Sequence, residues 1–223
     1  MGSVRMGPPE RLLERIVSEY GVGVFIETGT YRGETAAWAS GRFRQVITIE
    51  NFKSTFEETR MKYGHLGNVR FLHGHSALKL PELLREIKED AVFWLDAHWM
   101  GSGSYGENDE CPVMDELRAL NRSEACHFIF IDDARLFLAP PPLPHRMDQW
   151  PTIGEVIAEL ARKDRYTVVD DDVIVSVPDR AREFVGHLIQ ENSTVRWRSG
   201  GHAGQSGRGI VSLLRAALRK LSR

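Results

Sequence analysis

Two glycines and a set of carboxylates hold the chemistry open to this chain. Segment 27–35, ETGTYRGET, follows an apolar run rich in β-branched residues and opens a helical pattern, the setting in which a glycine turn is informative. There Gly29 permits a tight turn and close backbone approach to a ligand, and Gly33 lets the next helix pack against the strand. Three residues separate these glycines, which departs from the six-residue dinucleotide pattern. Glu27, at the strand end, would repel a pyrophosphate and attract an ammonium group. Glu50 closes the next apolar run 17 residues beyond Gly33, near where a carboxylate reads ribose hydroxyls in such folds.

Three further carboxylates close two later runs, Asp96 after AVFWL and Asp132 with Asp133 after CHFIFI. Neighbouring parallel strands would gather them on one rim, where each uncompensated pair repels by about 1 to 4 kcal/mol at ~4 Å. A cation resolves the repulsion, and oxygen-only ligands suit Mg²⁺. The plainer reading is that Asp133 caps a turn or helix while Asp96 pairs with an arginine. His98, two residues past Asp96, is a candidate general base through its ordinary pKa near ~6.5, and equally a packed or surface histidine. Trp99 is either a wall for a flat ligand or ordinary packing. His73, His75 and His98 lack zinc-ligand spacing, and Cys111 has no visible partner as a nucleophile.

The elements that must position these residues alternate. ERLLERIVSEY reads as an amphipathic helix on the domain edge, Val22–Ile26 as a buried strand, ETAAWASGRF as a helix and QVITIE as a strand. FKSTFEETRMKYG, LPELLREIKED and MDELRALN read as helices, with strands at NVRFLHG, AVFWLDA and CHFIFIDD. After the helix TIGEVIAELARK, YTVVDDDVIVSVP reads as an edge hairpin. The expected fold is doubly wound α/β, a mostly parallel seven-stranded sheet with an antiparallel edge hairpin. Two long loops leave strand C-terminal ends, the acidic 100–112 and the proline-rich 138–151, and read as walls of a substrate site. The expected organisation is a domain over 1–198, a glycine-rich linker over 199–209 and a basic amphipathic helix over 210–223.

An adenosine carrying a cationic rather than a phosphorylated group describes S-adenosylmethionine. FIETGTYRGET resembles the first motif of the macrocin-type O-methyltransferases, class I enzymes that act on sugar hydroxyls. The acid layout resembles the metal-dependent O-methyltransferases of the catechol and macrocin types, with Asp on the fourth strand and Asp-Asp or Asp-Asn on the fifth. The likeness spans about residues 22–135. It implies that Glu27, Thr28, Gly29, Tyr31 and Gly33 contact the cofactor, Glu50 the ribose and Ser76 the adenine, with Asp96 serving both cofactor and metal. It implies Mg²⁺ on Asp96, Asp132 and Asp133, with Asp96 catalytic beside the candidate base His98. His75 stands where the family often has an acid, and His98 and Trp99 where the catechol type has a lysine.

The implied activity is methyl transfer from S-adenosylmethionine to a hydroxyl of a small molecule, a sugar or a phenolic or polyketide-derived metabolite. A metal-dependent hydrolase on the same fold and a non-catalytic nucleotide-binding module are the competing readings. The 223 residues carry 29 Lys and Arg against 31 Asp and Glu, a formal charge of −2 that favours neither nucleic acid nor an anionic membrane as partner. Two cysteines cannot staple a secreted fold. No apolar run approaches the roughly 18 residues of a membrane span, and the N-terminus reads unlike a signal peptide. A cytoplasmic protein is expected, with homo-oligomerisation left open.

Overall fold

The computed structural model describes residues 7–99, 106 and 109–199. Contacts divide the chain into two units, residues 1–182 and 183–223. The first unit carries the sheet; the described part of the second is a helix that begins at the boundary. The linker and basic helix expected over 199–223 lie outside the described residues except for Ser199, which ends the described helix Arg182–Ser199.

The strands are β1 (Val24–Thr28), β2 (Gln45–Glu50), β3 (Val69–His73), β4 (Val92–Leu95), β5 (Phe128–Ile131), β6 (Arg165–Asp170) and β7 (Val173–Pro178). Between and around them run α1 (Glu10–Tyr20), α2 (Glu34–Ser40), α3 (Lys53–Tyr63), α4 (Ser76–Glu86), α5 (Val113–Asn121), α6 (Arg135–Leu138), α7 (Ile153–Leu160) and α8 (Arg182–Ser199). The seven strands form one sheet in the order β3-β2-β1-β4-β5-β7-β6. Only β7 runs against its neighbours, pairing antiparallel with both β5 and β6. The expected architecture and edge hairpin are therefore present.

Solidly apolar strands build the centre. Every residue of β1, β4 and β5 is buried, as covering both faces of a parallel sheet requires. Trp94, Phe25, Phe93, Phe128 and Phe130 are fully enclosed, and burial of such a side chain stabilises by roughly 1.5–3 kcal/mol. α1 buries Leu12, Leu13 and Ile16 and ends at left-handed Gly21. α7 starts on a reciprocal Thr152–Glu155 capping box.

One helix lies elsewhere than its pattern suggests. The run LPELLREIKED predicts a helix over 80–90, yet α4 starts at Ser76 and ends at Glu86, carrying Pro81 inside it. The reason is the cap: the His75 Nδ1 accepts from the Ala77 N–H, starting the helix early enough to deliver Ser76 to the end of β3. α6 and α8 have no counterpart in the sequence reading.

The register fixes the site. Thr28 pairs with Leu95 and Leu95 with Ile131, so the next residues, Gly29, Asp96 and Asp132, lie abreast on three adjacent strands. At about 4.8 Å between strands they share one rim. The chain leaves β1 toward β2 on one side and β4 lies on the other, which makes β1/β4 the switch point where ligands bind in open α/β sheets.

Candidate functional site

The glycine turn comes first along the chain. Gly29 and Gly33 both have left-handed backbone, φ 83° and 73°. The space their missing side chains leave is closed off by protein. A Cβ on Gly29 would stand 2.1 Å from the Asp96 carbonyl oxygen, so Gly29 lets the ends of β1 and β4 close up. A Cβ on Gly33 would meet Thr59 and Tyr63 of α3 at 2.4 and 2.9 Å. Between them Tyr31, 55% exposed, also has positive φ. Of the three non-glycine residues with positive φ among the described residues, Tyr31 and Asp133 sit on this rim, where strained backbone commonly marks function.

Glu27 lies beneath the turn and is 1% exposed. It accepts a 2.6 Å hydrogen bond from the Thr48 hydroxyl, which contacts the Thr30 hydroxyl at 2.6 Å. Burial pushes its carboxyl up to about 8, against the help of Thr48. The folded group holds its proton up to about pH 8, whereas the unfolded one releases it above its ordinary value near 4.5. The stability this proton confers is complete at low pH and is lost as pH rises between these values, with a slope of at most about 1.4 kcal/mol per pH unit. Glu27→Gln is expected to remove that contribution. Urea unfolding of both proteins at pH 5, 7 and 9 checks it, and parallel pH profiles would refute it.

Glu50 is fixed by two backbone donors. Its Oε2 accepts from the Tyr31 N–H at 3.0 Å and its Oε1 from the Phe52 N–H at 2.8 Å, which aims the carboxylate across the turn. Ser76 is buried at the start of α4. The Thr28 Oγ1 accepts from the Asp96 N–H at 3.3 Å, joining β1 to β4 where their pairing ends. A fixed carboxylate at one end of this line and buried hydroxyls at the other suit the ribose and adenine of a nucleoside.

The acids of β4 and β5 converge around His98, whose ring is nearly enclosed. Its Nδ1 lies 3.5 Å from Asp96 Oδ1 and its Nε2 2.6 Å from Asp133 Oδ2, the latter short but off the direction of a hydrogen bond. Arg135 places Nη1 2.5 Å from Asp133 Oδ1 and also pairs with Asp172, from the β6–β7 turn. Burial opposes charge on Asp133, yet His98 and Arg135 together hold its carboxyl below the usual range. Asp132 is helped less, by the Asp133 N–H and His98 alone. Burial first, then Asp96 and Asp133, push it up to about 8. Asp96 rises to about 6 through burial, partly offset by His98. Burial disfavours a charged His98, but the surrounding carboxylates win and favour its protonated form.

Protein cations therefore supply part of the charge that the sequence reading assigned to a metal. Among the described residues no three His, Cys, Asp or Glu side chains stand in metal-holding geometry. The donor chemistry nevertheless suits a hard divalent ion, since Asp96, Asp132 and Asp133 offer only oxygens. The arginine pairing considered for Asp96 falls instead to Asp133.

Three acids or bases escaped the sequence reading. Arg135 lies just beyond the Asp-Asp pair and was legible as its neighbour. Glu116 is buried on the apolar stripe of α5, beside Val113, Leu117 and Leu120. Burial pushes it up to about 7, with the nearby Ser76 and Thr28 hydroxyls opposing the rise, and its Oε1 has no hydrogen-bond partner among the described residues.

Glu110 ties the two long loops together. It is 1% exposed and accepts from the Trp150 Nε1 at 2.8 Å and the Arg146 N–H at 3.0 Å, with His145 Nδ1 at 3.1 Å. Its own N–H donates to the Gln149 side chain at 2.9 Å. Trp150 packs on His98 with ring centres 5.7 Å apart, and Trp99 on His145 at 5.5 Å. Trp99 is thus packed and buried. Residues 100–105, 107 and 108 of the acidic loop lie outside the described residues. His75 reaches Asp109 at 2.8 Å, and His73 packs on Phe56. Burial pushes the Cys111 thiol up, which leaves it a poor nucleophile.

No protein-family model matches the chain, and the search of curated proteins finds no match. Solved structures do share its fold. An O-methyltransferase from Bacillus cereus, in complex with SAH, superposes with a TM-score of 0.54 at 18% identity, covering 77% of this chain and 82% of its own. The SAH-bound methyltransferase PaMTH1 of Podospora anserina gives 0.54 at 16% identity, covering 78% and 79%. These likenesses establish the methyltransferase type of Rossmann-like fold.

Proposed function

We propose that this chain is an S-adenosylmethionine-dependent O-methyltransferase acting on a hydroxyl of a small molecule, a sugar or a phenolic or polyketide-derived metabolite, with Mg²⁺ assistance. The carrying observation is the register that sets Gly29, Asp96 and Asp132 abreast, between the fixed Glu50 carboxylate and the His98 cluster. One end of that line suits a nucleoside and the other a hydroxyl. The fold is that of SAH-bound methyltransferases, which supports the donor half of the reading.

Glu50 takes the ribose hydroxyls and Ser76 orients the adenine, so the sulfonium lies over the β1–β4 switch point. Asp96, Asp132 and Asp133 would hold the ion, which when bound lowers the pKa of a substrate hydroxyl. His98, when neutral, accepts the hydroxyl proton; its carboxylate neighbours then stabilise the imidazolium. The buried wall around Trp150 keeps water from this face. Holding both reactants in line supplies roughly 7–11 kcal/mol of the barrier reduction. A cytoplasmic location and a small-molecule acceptor belong to the same reading; among the described residues no helix is long and apolar enough to cross a membrane.

Calorimetric titration with S-adenosylhomocysteine tests the donor half. Binding much tighter than that of adenosine is expected, and equal binding of the two would reject it. For the ion, methyl transfer across a panel of hydroxylated acceptors should stop with chelator, return with added Mg²⁺ and be abolished in Asp132→Ala. Turnover indifferent to chelator would remove the metal from the reading.

A further inference from the structure

We propose that the far ends of α4 and α5 form a second binding site, one that takes a small anion with an apolar body. Both helices start near the rim described above, α4 at the end of β3 and α5 after the acidic loop, and run toward the starts of β4 and β5. Where they finish, a cavity of about 340 Å³ opens, lined from both. That size falls within the roughly 300–1,000 Å³ usual for ligand sites, and at about 30 Å³ for a water it has room for about ten non-hydrogen atoms. The donor crevice lies at the other end of both helices, so the two sites are distinct.

The lining sorts by chemistry. Leu84, Ile87 and Ala119 supply buried or half-buried apolar surface, while Arg85, Lys88 and Arg122 are exposed cations. The carboxylates beside these cations are engaged elsewhere: Glu86 pairs with Arg70 and Glu89 with Arg44, each at 2.6 Å. Arg85, Lys88 and Arg122 have no ion-pair partner among the described residues, which leaves Glu124 as the carboxylate lining the cavity against three cations. Positive charge gathered over an apolar concavity raises the local concentration of anions and holds the apolar part of the same molecule out of water. Basic residues at helix C-termini also complement the helix dipole, which accounts for charge there but not for a cavity. The carbonyls of that helix end are already occupied, Ala119 and Leu120 by the Arg122 and Ser123 N–H groups at 3.1 Å each, and the Ser123 carbonyl accepts from the Lys163 ammonium.

The test follows amide resonances of the isotope-labelled full chain at low ionic strength during titration with octanoate, octyl phosphate and octanol, which share one apolar body. Both anions are expected to bind about tenfold or more tighter than octanol, the worth of hydrogen bonds to a charged group, and the tighter of the two identifies the anionic head the site prefers. The shifts should be confined to residues 81–88 and 119–125. The triple variant Arg85→Gln, Lys88→Gln and Arg122→Gln changes only exposed side chains and should keep the wild-type fold, yet bind the anions no more tightly than octanol. Equal affinity for octanol and both anions, shifts scattered over the surface, undiminished binding in the triple variant or no binding at all would each overturn the proposal. None of these outcomes bears on the donor crevice, whose titration with S-adenosylhomocysteine is a separate measurement.

Discussion

Gly29→Ala is expected to weaken S-adenosylhomocysteine binding by about a hundredfold or more and to lower stability by roughly 2–5 kcal/mol. The new methyl would meet backbone: the Asp96 carbonyl oxygen at 2.1 Å, its carbon at 2.7 Å and the Ala97 Cα at 3.0 Å. None of these can rotate aside, because the Asp96 N–H is tied to the Thr28 carbonyl at 3.0 Å and the Gly29 N–H to Ile49 at 2.9 Å. Positive φ adds about 1–2 kcal/mol for any residue with a Cβ, and overpacking typically costs about 1–3 kcal/mol more. Relief comes only by parting β1 from β4, which displaces Asp96 from the rim. Gly33→Ala is the internal control. Its nearest obstacles are the Thr59 methyl and the Tyr63 ring, side-chain atoms that can shift, so its loss should stay within about tenfold. Calorimetry and thermal melts of both variants decide it, and equal losses would mean that the close contact at Asp96 does not govern the site.

That contrast shows where sequence reasoning reached and where it stopped. The sheet was legible because each parallel strand is a short apolar run ended by an acid or a turn, so β2 and α1 fall on the residues their patterns predict. The convergence of Asp96, Asp132 and Asp133 followed from strand ends alone. The reason for each glycine did not, since which atoms crowd a missing Cβ depends on inter-strand distances that spacing along the chain does not encode. The charge balance was hidden for a related reason. Asp133 finds Arg135 nearby in sequence, but it also meets His98 from β4, while Asp172 of the β6–β7 turn shares the same guanidinium. An unpaired cluster could be inferred from types and ends, whereas its compensation required the fold. Glu116 was legible in principle, as an acid at helical spacing within an apolar stripe.

Glu110→Ala should speed tryptic cleavage after Arg146 about a hundredfold while changing S-adenosylhomocysteine affinity little. The carboxylate satisfies the buried Trp150 indole N–H and the Arg146 backbone N–H and contacts His145, all from the proline-rich loop. Removing it strands at least two donors, at about 1–3 kcal/mol each, so the loop opens more readily by roughly 3 kcal/mol. Cleavage tracks the open population when reclosing is fast, which converts that figure to about two orders of magnitude. Arg146 is exposed but its N–H is held by Glu110, so the scissile backbone becomes available only when the latch releases. Donor binding should persist, because Glu50 and Ser76 lie on other strand ends. Methyl transfer should fall instead, since Trp150 packs on His98 and the same release loosens the ring beside it. Wild-type cleavage kinetics in the variant would show that the two loops hold together without Glu110.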